Sequence, residues 1–157
     1  MNFTFLNDAE KIFLEKQYKS VALIGFSIIS SIPFYLIAGH LVNFERQHTG
    51  GITIRYIFLS IALIIAVFIR ILRSIILSKQ NKPVFLNLVN RLKASAILTF
   101  ALCEAIAITG ITEYFLTGNK MDLYIMLFLS LVFFAVHFPR KSLWEYYINL
   151  HIRELQK

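Results

Sequence analysis

The chain has 157 residues, 57% of them hydrophobic and only 16% charged, with a mean hydropathy of +0.66 and a net charge of +7. A soluble domain of this length carries a larger charged share, and the length allows one domain. Most of the sixteen Lys and Arg flank apolar blocks, so the basic excess points to acidic lipid headgroups and not to nucleic acid.

The N-terminal stretch MNFTFLNDAEKIFLEKQYKS spreads charges among apolar residues. It lacks a basic segment leading into an apolar core and a small-residue cleavage site, so no cleaved signal peptide is expected. Within it, Asn7 or Asp8 can cap a helix over about 7–19. There Ile12, Phe13, Leu14 and Tyr18 supply apolar surface between lysines, as in a helix lying on a membrane.

Four apolar segments follow, at about 21–41, 52–78, 94–116 and 121–138. Each can cross roughly 30 Å of hydrocarbon at ~1.5 Å per residue. The first contains Gly25, Ser27, Ser30, Ser31 and Pro33. Proline removes an intrahelical hydrogen bond that nearby serines can replace, so a kink is expected at Ser30 to Pro33. The second reads IFLSIALIIAVFIRILRSIIL, bulky and without glycine. In the third, Ala96, Thr99, Cys103, Ala107 and Gly110 fall within about 80° of one another on a helix. That small-residue stripe admits a close neighbour, because packing drives helix association in lipid. Cys103, the single cysteine, reads as a packing residue, and neither a disulfide nor a CxxC metal site is available. Thr117-Gly118-Asn119-Lys120 makes a tight turn into the fourth span.

Pro139 ends that span, and Ser142-Leu143-Trp144-Glu145 reads as a capping box. Beyond it Trp144, Tyr147, Ile148 and His151 recur at helical spacing, predicting a second surface helix over about 142–155. The expected fold class is therefore all-α: an integral membrane four-helix bundle with amphipathic interfacial helices at both ends. Thirteen Lys and Arg lie beside the N-terminus, the middle loop and the C-terminal tail, against three (Arg46, Arg55 and Lys120) beside the other two loops. The positive-inside rule then places both termini in the cytoplasm.

Charges within the spans are the unusual feature. Glu104 lies roughly 16 Å along its helix from Lys93, close to mid-membrane. An unpaired ionised group there costs at least ~2.5 kcal/mol. Arg70, roughly 14 Å from Lys79 on the antiparallel second span, matches its height. Arg73 shares Arg70's face one turn nearer the cytoplasm. Expected buried pairs are therefore Glu104 with Arg70, and Arg55 with Glu113 on the outer half. Glu104 and Glu113 are nine residues apart and point to opposite sides of their helix, which argues against a two-carboxylate catalytic site.

No GxSxG, HExxH, P-loop or GxGxxG motif is present, and His40, His48, His137 and His151 are dispersed over both sides. Neither an enzyme, a metal, a haem or other cofactor, nor a small-molecule substrate is expected. The segment Leu102-Cys103-Glu104-Ala105-Ile106-Ala107-Ile108-Thr109-Gly110 resembles the ion-carrying helix of rotary ATP synthase subunit c, the proteolipid. By that resemblance Glu104 carries a proton or sodium ion; the glycine-free second span departs from the proteolipid pattern. Over its whole length the chain is similar to small four-span bacterial membrane proteins of unassigned function. They share an ALCE-type third span and an FPR-x-x-x-W-E ending, here Phe138-Pro139-Arg140 and Trp144-Glu145, which implies a bacterial inner-membrane location. The expected function is that of a structural or accessory subunit that packs with other membrane subunits or copies of itself; the alternative is a proton- or cation-handling protein centred on Glu104.

Overall fold

The computed structural model describes residues 7–42, 51–77 and 85–155. Six helices follow in order: α1 (Asp8–Ile29), α2 (Ser31–Leu41), α3 (Gly51–Ile76), α4 (Phe85–Thr117), α5 (Lys120–His137) and α6 (Lys141–Leu155). No strand occurs among the described residues. Four helical stretches are long and apolar enough to cross a membrane: Asp8–Leu41, Ile52–Ile76, Phe85–Thr117 and Lys120–His137.

The expected N-terminal surface helix is not a separate element. Asn7 caps α1, its backbone N–H donating to Glu10 Oε2 at 3.0 Å, and the helix then runs unbroken through Ser20 into the first apolar segment. Nothing between residues 19 and 21 can stop it, since that link holds neither glycine nor proline. The break falls at Ser30, between α1 and α2. Pro33 has no N–H to give the carbonyl four residues back. Around that gap Ser30 Oγ donates to the Ser27 carbonyl at 2.6 Å and Ser31 Oγ to that of Ile28 at 2.7 Å.

Helix α4 is the hub; α1, α2, α3, α5 and α6 all pack on it. Its start at Phe85, nine residues before the expected 94, absorbs part of the middle loop. At 33 residues it is ~50 Å long, well beyond ~30 Å of hydrocarbon. The extra turns at its N-terminal end meet the first half of α1 and the first half of α6. There Leu14, Leu88, Val89, Leu92, Trp144 and Ile148 are buried in the core. Tyr18 meets Trp144 edge-on at 5.9 Å between ring centroids, and Phe13 meets Phe85 at 6.2 Å. The aromatic stripe expected to rest on lipid is therefore turned onto protein. α6 also begins at Lys141, so Ser142 sits inside its first turn instead of capping it. Tyr147 OH closes the end of α3 by donating to the Leu77 carbonyl at 2.6 Å, an orphan acceptor of that helix terminus. Burial pushes the Tyr147 phenol above its ordinary pKa, with Arg91 pulling the other way, so it remains a donor at neutral pH.

The α4–α5 contact uses the small residues of α4. Thr99, Cys103, Ala107 and Gly110 are buried and Ala96 partly so. Ser130 Oγ of α5 donates to the Cys103 carbonyl at 2.7 Å. Gly118, with φ 73°, supplies the left-handed turn after α4. A Cβ added at Gly110 would collide with Met126 Cβ, which is tethered to its own backbone and cannot swing away. Gly110→Val should therefore force the two helices apart and lower the stability of the detergent-solubilised protein by ~1–3 kcal/mol, measured as the thermal midpoint. The same change at solvent- or lipid-facing Ile108 should have little effect.

Candidate functional site

Glu104 is half-buried on α4, level with the break between α1 and α2. Its partners are hydroxyls. Ser31 Oγ and Tyr35 OH each lie 3.0 Å from Glu104 Oε1. The two reach it because they are four residues apart on α2, one turn of one face. The break before Ser31 aims that face at α4.

The expected Glu104–Arg70 pair does not form; among the described residues no ion pair joins them. The reason is rotational. Ala62 and Ile69 are the buried residues of α3, so the face through them meets α4. Arg70, one residue further, is turned ~100° away and exposed. Height along the membrane was matched and azimuth was not.

The outer pair is also re-partnered. Arg55 Nε lies 2.9 Å from Asp122 Oδ1, not on Glu113. Asp122 is buried in the first turn of α5, and Asn119 Nδ2 donates to its Oδ2 at 2.7 Å. Arg55 lies seven residues before Ala62, on the face of α3 that packs inward, which carries it to α5. Glu113 is fully buried, with neither carboxyl oxygen hydrogen-bonded. Arg55 and Asp122 exert opposite electrostatic effects on it. The two α4 carboxyls thus face different helices and do not share a site.

Sequence reasoning missed Ser31, Tyr35 and Asp122. Tyr35 carried a signal: it follows Ser31 by four residues on a helix restarted at a proline-induced break. Asp122 carried one too, three residues after a capping Asn119 whose side chain accepts from the Met121 N–H at 3.1 Å. The remaining histidines serve local contacts. His40 Nδ1 bonds the Leu36 carbonyl at 3.0 Å and its Nε2 meets Tyr124 OH at 3.2 Å, tying α2 to α5. His137 and His151 bond carbonyls one turn back in their own helices. His48 lies outside the described residues. Among the described residues no group of three or more His, Cys, Asp or Glu is placed to hold a metal ion.

No protein-family model, curated protein or solved structure matches the chain.

Four substitutions probe these contacts. Tyr35→Phe removes one donor to Glu104 and should lower stability by ~1 kcal/mol. Arg70→Gln should leave the melting temperature unchanged, and equal losses in both variants would restore the guanidinium as the partner. Arg55→Gln strands the Asp122 carboxylate and should cost ~2 kcal/mol. Adding Asp122→Asn to Arg55→Gln should recover part of that loss in a double-mutant cycle.

Proposed function

We propose that this is a non-catalytic, proton-handling protein of the bacterial inner membrane, with both termini in the cytoplasm and Glu104 as the proton-binding group. The observation that carries the reading is the setting of Glu104: two hydroxyls at a helix break, and no cation among the described residues. Ser31 has one hydroxyl hydrogen, and the Ile28 carbonyl at 2.7 Å takes it. The 3.0 Å contact from Ser31 Oγ to Glu104 Oε1 is then satisfied by a proton on the carboxyl, with Tyr35 OH donating to the same oxygen. A protonated Glu104 completes every one of these bonds, whereas an ionised one leaves Ser31 one hydrogen short. An uncharged acid in this setting also avoids the penalty of a charge at mid-membrane.

A proton fits better than a metal cation. One carboxyl and two hydroxyls offer fewer oxygen ligands than the six or more a hard cation usually gathers. The resemblance of the Glu104 segment to the proteolipid ion-carrying helix supports the same assignment. The absence of an Arg70 contact removes the feature that would have held the carboxyl permanently neutralised by a cation. Within this reading the Arg55–Asp122 pair and the small-residue face of α4 are the frame that holds the site.

A second reading is favoured by that frame itself: an accessory subunit whose polar contacts only fix helix packing, in a complex with other membrane subunits or with copies of itself. Carbodiimide labelling separates the two. A hydrophobic carbodiimide reacts with protonated carboxyls, so Glu104 should be labelled in vesicles and the label should vanish in Glu104→Gln. Mass-spectrometric mapping that finds Glu104 unlabelled would refute the proton-handling role. Folding of Glu104→Gln, checked by helicity and elution volume, separates loss of the site from loss of the protein.

A further inference from the structure

A cavity of about 260 Å³ opens where α3, α4, α5 and the start of α6 meet, at the basic end of the molecule. Its polar lining comes from four places in the chain: Arg73 on α3, Ser95 and Thr99 on α4, His137 on α5, and Arg140 in the α5–α6 link. No Asp or Glu is among the described residues that line it. Neither Arg73 nor Arg140 has an ion-pair partner among the described residues. Ser95 is only 5% exposed, and its hydroxyl makes no hydrogen bond among them. Thr99 spends its own hydroxyl hydrogen on the Ser95 carbonyl. Two guanidiniums without carboxylates and a buried, unused hydroxyl donor converge on one space.

From this convergence we infer that the cavity is a binding site for a phosphate group, independent of Glu104. Paired guanidinium forks match phosphate oxygens in geometry and in charge, and basic pockets between membrane helices are a common seat for anionic lipid headgroups. The volume lies below the ~300–1,000 Å³ of pockets for drug-sized ligands, which suits a phosphate and its ester substituents rather than a nucleotide. Val136 and Leu143, both largely exposed, form part of the rim and offer apolar surface to an acyl chain. The phosphate can thus come from an anionic phospholipid or from a soluble phosphate compound.

Native mass spectrometry of the full chain in detergent tests this, with phosphatidylglycerol, phosphatidylcholine or inorganic phosphate added. Wild-type protein should retain phosphatidylglycerol at least tenfold more than phosphatidylcholine, and R73Q/R140Q should lose that preference. Arg70→Gln, which removes an equal charge from α3 outside the cavity, should keep it. Retention of inorganic phosphate but not of phosphatidylglycerol, lost in R73Q/R140Q, would assign the site to a soluble ligand. Wild-type protein that retains neither ligand selectively, or a double variant that binds as well as wild type, would overturn the site. The wild-type comparison stands even if R73Q/R140Q fails to fold, and R73K/R140K, which keeps the charge but not the fork, should bind with intermediate strength.

Discussion

A polar group shielded from water must find its partner inside the protein, and that constraint organises this molecule. It is most visible at the break between α1 and α2. Pro33 interrupts the backbone ladder, Ser30 and Ser31 bond the nearby Ser27 and Ile28 carbonyls, and the restarted helix brings Ser31 and Tyr35 to Glu104. One defect in a helix thus supplies the hydroxyl partners for a carboxyl on another. A straight helix through Ser30 would carry the α2 face elsewhere and leave Glu104 without these hydroxyls.

The second constraint is close approach. α4 meets every other helix, and it can do so because its faces divide the work. Cys103, Ala107 and Gly110 admit α5, and the start of α4 beyond the apolar stretch builds a small core with α1 and α6. That cap draws on aromatic contacts ordinary in a soluble core. It holds the ends of α3 and α5 together through Tyr147 and Tyr18, the latter donating to the Pro139 carbonyl at 3.2 Å. The basic cavity beneath the cap exists because those helix ends converge while their arginines stay unpaired.

The carboxyl arrangement bears on function more than any motif. Two carboxyls on one helix have quite different company. Glu104 has hydroxyls, and the Glu113 carboxyl, beside an Arg55–Asp122 pair, has no hydrogen bond among the described residues. A device that only fixed helix register would more naturally use the charged pair, as the outer half does. The hydroxyl-lined carboxyl is the one on which the proposed proton-handling role rests.

The residues by themselves determined the number of long apolar helices, the site of the break in the first of them and the small-residue face of α4. Each follows from local composition and from periodicity along one helix. Depth along a helix was legible too, since it is residue count times rise. Partnership was not. Whether Arg70 or Ser31 reaches Glu104, and whether Arg55 takes Glu113 or Asp122, depends on the rotation of each helix about its axis and on which neighbour stands beside it. Those angles are set by packing between segments distant in the chain. Only the tertiary structure decided them, and with them the surroundings of the carboxyls and the existence of the basic cavity.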